Sequence, residues 1–147
     1  MKFAEFYPGQ VITLGPVSVS ERQIVEFARE YDPQWFHTDP EAAARGRWGG
    51  LIASGWQTCG LAMRLACEHV LAGSESIGSP GVAYLKWPAP VRPDEPLTLR
   101  IDVLETRRSA SKPELGILRW RWRLLHADGR EALDLEATSL FDLPPAA

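Results

Sequence analysis

Cysteine and histidine are scarce in this sequence. Its 147 residues include only two cysteines and three histidines. Cys59 and Cys67 lie eight positions apart in one apolar stretch, a rise of about 12 Å on a helix, which is too long for a disulfide. We therefore expect two small buried hydrophobic side chains in a reducing compartment. The three histidines (His37, His69 and His126) are scattered along the chain, so no metal site is predicted.

Long hydrophobic runs and a strong charge of either sign are also missing. No stretch reaches the roughly 18 apolar residues that a membrane-spanning helix needs. The first ten residues, MKFAEFYPGQ, are too acidic and too short in apolar run for a signal peptide. The net charge of −3 argues against nucleic acid as the main partner. The expected location is the cytoplasm, with no membrane or nucleic-acid partner.

The composition is otherwise that of an ordinary globular protein. Hydrophobic residues make up 45% of the chain and charged residues 24%. This length is enough to bury one hydrophobic core without disulfides or metals, and no repeat or linker divides it. We predict a single domain over residues 1–147.

The first half of the chain has helical patterns. Ser20 and Gln23 have the spacing of a capping box, and an amphipathic face follows until Asp32, which precedes a proline. Asp39 and the proline after it predict the start of a second, short helix. From Trp56 to Ala72 the chain is apolar over most of a helix circumference, which predicts a buried central helix.

The second half alternates in the manner of strands. Apolar and polar residues alternate over 97–103, 118–124 and 133–141, and shorter extended segments are predicted at 11–19 and 84–87. Alternation of this kind is typical of an antiparallel sheet with one wet face. The predicted fold class is α+β, with the sheet packed against the single long helix. Arg119, Arg121 and Arg123 are expected on the solvated face, opposite the neighbouring tryptophans, although a phosphate contact by one arginine stays open.

The connection between the first two helices carries the strongest candidate for catalysis. Asp32 and His37 lie five residues apart on what we predict to be a non-helical segment, so their side chains could converge on one point. A carboxylate beside an imidazole suits general acid–base chemistry on a water molecule. Trp35 and Phe36 could keep that point dry. A turn-forming aspartate and a locally satisfied histidine are the alternative, and Asp39 is explained better as a helix cap.

A glycine-rich segment, GGLIASGWQT, leads into the central helix. Gly55 lies where that helix begins, so its backbone N–H is free and approachable. Helix N-termini favour developing negative charge, which makes this position a candidate oxyanion hole. A glycine required only for packing of the helix on the sheet is the alternative.

Taken together, these segments resemble one known family. DPQWFHTDPE over residues 32–41, followed by GLIASG over residues 50–55, is similar to the MaoC-like dehydratases and (R)-specific enoyl-CoA hydratases. GSPGV over residues 78–82 and PAPVRP over residues 88–93 also resemble that family. The similarity covers nearly the whole chain in the family's order.

This resemblance implies a hotdog fold, in which the antiparallel sheet wraps around the central helix, and a homodimer or higher even oligomer. Asp32 and His37 would hold a water that adds to Cβ of a trans-2-enoyl thioester, giving an (R)-3-hydroxyacyl product. The Gly55 N–H would bind the thioester oxygen. The substrate would be an acyl-CoA or acyl-carrier thioester, with no metal and no cofactor. The residues expected to contact substrate are Gln34, Trp35, Phe36, Ser54 and Trp56.

The sequence departs from the family pattern at a few positions near this site. Trp35 and Phe36 are bulkier than the usual residues, Ser54 stands where a histidine is common, and Met63 falls near a frequent serine. Two other functions therefore stay open. One is thioester hydrolysis, for which Glu68 is the only acidic residue on the central helix and comes late. The other is a non-catalytic acyl-binding or partner subunit, which would be favoured if Asp32 and His37 pointed apart or were plugged by Trp35 or Trp56.

Overall fold

The computed structural model describes residues 1–145 and contains four helices and five strands in addition to a short 3-10 turn at Phe3–Glu5. The helices are α1 (Glu21–Tyr31), α2 (Trp35–Thr38), α3 (Pro40–Arg45) and α4 (Gly55–Ala66), which continues as a π-helical turn over Cys67–Leu71. The strands are β1 (Val11–Val17), β2 (Ser76–Lys86), β3 (Leu97–Arg108), β4 (Leu115–His126) and β5 (Glu131–Asp142). Every helix within residues 1–145 is too short or too polar to span a bilayer.

The strands form one antiparallel sheet in the order β1-β3-β4-β5-β2. The long hairpins β3–β4 and β4–β5 keep register over most of their length, because their alternating side chains must keep one face buried. β2 pairs with β5 alone and leaves its other side at the edge of the sheet. The opposite edge is β1, which is interrupted by Pro16.

The core lies between the inner face of the sheet and α4. On the helix side it contains Leu61, Ala62, Leu65 and Ala66. On the sheet side it contains the alternate residues of the central strands, which are Leu97, Leu99, Ile101, Leu118, Trp120, Trp122, Leu124 and Leu133. The sheet therefore wraps around one long helix, and the predicted α+β hotdog fold is confirmed.

The outer face of the sheet is charged, and its arginines pair with carboxylates on the same face. Arg121 makes two hydrogen bonds with the Asp134 carboxylate, both 2.9 Å long. Arg119 binds two glutamates on the flanking strands, and Arg123 binds Asp102 at 3.0 Å. The three arginines of β4 thus have carboxylate partners, and nothing in this arrangement favours the phosphate contact that the sequence left open.

Three local expectations were wrong. The central helix begins at Gly55 as expected, but its α-helical part ends at Ala66 and its last turn is π-helical over Cys67–Leu71. β2 begins at Ser76 rather than near Tyr84, because pairing with β5 extends a glycine-rich segment whose own strand pattern is weak. Cys67 is exposed, since it lies on the solvent side of the helix end, whereas Cys59 is partly buried.

Candidate active site

Asp32 and His37 are brought together beside the start of α4. The Asp32 carboxylate oxygen Oδ2 lies 3.3 Å from Nε2 of His37. The His37 side chain is only 6% exposed and that of Asp32 18%, so both groups are largely shielded yet open on one side. This geometry is what the acid–base hypothesis requires, while their catalytic role stays a prediction.

The backbone holds the imidazole in one orientation. Gln34 precedes the single turn α2, and the His37 N–H donates to its carbonyl oxygen at 2.9 Å. The ring nitrogen Nδ1 lies 2.7 Å from the carbonyl oxygen of Ile52, which can only accept, so Nδ1 carries a proton. Ile52 in turn donates its N–H to the Phe36 carbonyl. The expectation of a non-helical connection was therefore wrong, because His37 lies within a helical turn clamped by residue 52.

Asp32 is held in its ionised form by its neighbours. Burial by itself would raise the pKa of this carboxyl, but hydrogen bonds from Gln34 and Ser54 and the nearby His37 outweigh it. The net effect is a pKa below the ordinary value of an aspartate. The Gln34 amide donates to Oδ1 of Asp32 at 2.7 Å, which leaves Oδ2 directed at His37.

Gly55 is the first residue of α4, and its N–H is one of those that a helix leaves without an acceptor of its own. The Ser54 hydroxyl accepts the Trp56 N–H at 3.3 Å and so caps the helix. Gly55 and His37 line the same cavity of about 200 Å³. A hydrogen-bond donor at a helix N-terminus and the imidazole of the acid–base pair thus open onto one small volume, with the Asp32 carboxylate behind the imidazole.

Two tryptophans that the sequence analysis did not select form walls of this cavity. Trp48 directly precedes the glycine-rich segment, and Trp87 follows β2 directly, ahead of the two prolines at 88 and 90. Both are about half-exposed, at 43% and 42%. The signal that could have found them is a large aromatic residue beside glycine or proline in a loop, where binding residues concentrate.

The residues predicted to contact substrate have different surroundings. Phe36 packs edge to face on the His37 ring, with centroids 4.4 Å apart. Trp35 covers Gly46 and is 51% exposed, and Trp56 is 59% exposed. Ser54 is fully buried. Neither Trp35 nor Trp56 is among the residues that line the cavity with His37.

Metal-binding groups are not clustered here. Among residues 1–145, no three side chains of histidine, cysteine, aspartate or glutamate lie close enough together to hold a metal ion. Glu68, the one acid considered for thioester hydrolysis, is exposed in the π-helical turn at the far end of the central helix.

Comparison with known proteins places these features in a family. Residues 4–117 match the family described as MaoC like domain. An uncharacterised protein of Bacillus subtilis, YdeM, is 38% identical over 118 residues, which cover 80% of this chain and 82% of that protein.

Two further relatives carry functional names. The 3-hydroxyacyl-thioester dehydratase Z of Mycobacterium tuberculosis is 35% identical over 77 residues, about half of each chain (51%). The crystal structure of a MaoC-like dehydratase from Rhodospirillum rubrum superimposes with a TM-score of 0.86 at 33% identity, covering 97% of both chains.

Proposed function

Because this chain belongs to the MaoC-like domain family of hydratases and dehydratases, we propose that it hydrates a trans-2-enoyl thioester to the (R)-3-hydroxyacyl product, or dehydrates that product. The observation that carries the proposal is the approach of Asp32 to His37, with 3.3 Å between Oδ2 and Nε2, beside a cavity that also contains Gly55. The substrate is an acyl-CoA or acyl-carrier thioester.

The hydrogen-bond pattern of the pair favours a bound water. Since Nδ1 of His37 donates to the Ile52 carbonyl, Nε2 is the ring nitrogen that can exchange a proton within the site. Nε2 faces the Asp32 carboxylate, with 3.3 Å between Nε2 and Oδ2. A water molecule bound to both of these atoms is held by two groups that can take up or deliver its proton.

The proposed reaction then needs one hydrogen-bond donor for the thioester oxygen and two proton transfers by the Asp32–His37 pair. The water oxygen forms a bond to Cβ of the enoyl group while one member of the Asp32–His37 pair takes a proton from the water. The π electrons move onto the thioester oxygen, and the Gly55 N–H stabilises the resulting enolate. A proton delivered by the pair to Cα completes the 3-hydroxyacyl product, and the reverse sequence is the dehydration.

We also propose that two copies of the chain associate through the β2 edge. Ile77 and Val82 on this strand are 59% and 51% exposed, and an edge with such residues can pair with another strand. The opposite edge is poorly suited because Pro16 lacks an N–H. Light scattering coupled to gel filtration should give twice the chain mass, and a single-chain mass for the wild type would refute this arrangement.

The hydratase proposal is tested with crotonyl-CoA, whose enoyl absorbance disappears on hydration. Asp32→Asn and His37→Ala are each expected to lower turnover by about 10² or more, since each removes one acid–base group. Asp39→Asn and His69→Ala are matched controls that change the same residue types at a helix cap and on an exposed surface. Full activity in either site variant would refute the mechanism, and chiral analysis of the product tests the (R) configuration.

A further inference from the structure

Two cavities lie along one face of α4. The first, of about 200 Å³, contains His37 and Gly55. The second, of about 400 Å³, is lined by Cys59, by apolar side chains that include Met63, Leu135 and Ala137, and by residues of the β2 edge such as Val82, at which the proposed partner copy would lie. Residues four apart lie on the same face of a helix, so Gly55, Cys59 and Met63 form a continuous row from one cavity to the other.

The indole of Trp87 stands at the junction of these cavities. It lines the first cavity, and it lies next to the thiol of Cys59, which lines the second. It also packs so closely on the start of α4 that a Cβ added to Gly55 would lie 2.5 to 2.9 Å from three of its ring atoms. Trp56 supports the ring edge to face, with centroids 5.1 Å apart.

These contacts leave the indole little freedom to move toward the helix. One face of the ring is occupied by the Gly55 backbone, and close-packed aromatic contacts resist displacement without loss of packing energy. An acyl chain that starts at the Gly55 N–H and grows along α4 would meet the Trp87 ring before it reached Met63.

We propose that Trp87 is a specificity-determining residue that closes the catalytic cavity and restricts the substrate to short acyl groups. The inference rests on the proposed function, because it assumes that the thioester carbonyl sits at Gly55. It predicts that the larger apolar cavity is inaccessible to substrate in the wild-type protein and becomes available when the indole is removed.

The test compares trans-2-octenoyl-CoA with crotonyl-CoA for the wild type, Trp87→Ala and Trp87→Phe. The ratio of kcat/KM values, octenoyl over crotonyl, is expected to rise about tenfold or more in Trp87→Ala, since access to an apolar pocket is worth that much per small group. Trp87→Phe, which keeps an aromatic ring, should stay near the wild-type ratio. Tyr7→Ala, which removes an exposed aromatic side chain (59% exposed), is the control for general effects of such a loss.

A binding measurement separates this inference from the hydratase proposal. Butyryl-CoA and octanoyl-CoA have no double bond and cannot be hydrated, so calorimetry with them reports the pocket alone. The wild type should prefer butyryl-CoA, and Trp87→Ala should shift the preference toward octanoyl-CoA by a similar factor. A shift in binding preference without any hydration activity would support the role of Trp87 and refute the hydratase proposal. Hydration activity without the shift would support the hydratase proposal and refute the role of Trp87.

Two results would overturn the role of Trp87. The wild type could process and bind the long acyl group as well as the short one, or Trp87→Ala could weaken both by the same factor, as a purely structural residue would. Circular dichroism and thermal unfolding establish that each variant is folded. If Trp87→Ala does not fold, Trp87→Leu, whose side chain is smaller than an indole, is used in its place, and the same octenoyl-to-crotonyl ratios test the role of Trp87.

Discussion

Replacement of Gly55 by alanine tests the packing at the start of α4 and the role of its N–H together. The added Cβ would lie 2.5 Å from the nearest ring atom of Trp87, a separation at which ring or helix must shift. Overpacking of this kind costs about 1 to 3 kcal/mol. Alanine gains up to about 1 kcal/mol over glycine in a helix. The expected net change is therefore a destabilisation of about 0 to 3 kcal/mol.

Gly60→Ala is the matched variant in the same helix. A Cβ at Gly60 would meet nothing within 4 Å, so this variant should show only the helical gain of up to about 1 kcal/mol. The difference between the two variants isolates the clash, and for a chain of this size 1 to 3 kcal/mol corresponds to roughly 2 to 12 °C in Tm. Thermal unfolding at one fixed protein concentration measures it.

The shift of the helix start in Gly55→Ala should also lower the rate of the proposed hydration. Loss of one oxyanion-hole donor costs about 10² to 10³ in kcat, and a helix start moved by the clash no longer presents the Gly55 N–H correctly. Crotonyl-CoA hydration should fall strongly in Gly55→Ala and remain near wild type in Gly60→Ala. In a Trp87→Ala background the clash is absent, so Gly55→Ala should cost less stability there than in the wild type. A Gly55→Ala protein as stable as Gly60→Ala and fully active would refute the reasoning.

Three further predictions concern the Asp32 site, the charged sheet face and the core. Ser54→Ala removes a hydrogen bond that lowers the pKa of Asp32, so the acidic limb of the plot of kcat/KM against pH should move to higher pH, and an unmoved limb would contradict this. Loss of the helix cap should also lower the free energy of unfolding by about 1 kcal/mol. Arg121 holds the pKa of Asp134 below its ordinary value despite burial. The stability contributed by this carboxylate is therefore fully present above the pKa that Asp134 has in the unfolded chain, and it is lost as the pH falls through the lower pKa that Asp134 has in the folded protein. Asp134→Asn should cost about 1 to 3 kcal/mol in urea unfolding at pH 7, with a deficit that shrinks in acid; a deficit independent of pH would exclude the charge as its cause. Trp120→Phe should cost about 2 to 4 kcal/mol, because it leaves a void and the Ser139 hydroxyl without its indole donor. Trp122→Phe should lower the free energy of unfolding by less, since the Trp122 Nε1 has no acceptor among residues 1–145. Equal losses in the two variants would argue that the hydrogen bond from Trp120 to Ser139 contributes little.

The sequence by itself determined the features that depend on neighbours along the chain. The capping box of Ser20 and Gln23 defines the start of α1, and both of its hydrogen bonds are formed. The alternation in β3 and β4 predicted which face of each strand is buried, because side chains point to opposite faces in turn. In β5 the prediction held only in part, since Asp134 on the outer face is buried as well. The segments that carry Asp32, His37 and Gly55 likewise resemble those of the family to which the chain belongs, so the sequence alone predicts the family.

Only the tertiary structure decided what depends on contacts between distant segments. The His37 proton position is set by the Ile52 carbonyl, a backbone group that has no side-chain signature. The full length of β2 comes from pairing with β5, which compensates for a sequence rich in glycine. Trp87 became a candidate wall of the site because it lies on Gly55, 32 positions earlier in the chain. Local periodicity reports secondary structure and burial, whereas the site is built from loop backbone and aromatic contacts that exist only once the sheet has closed around α4.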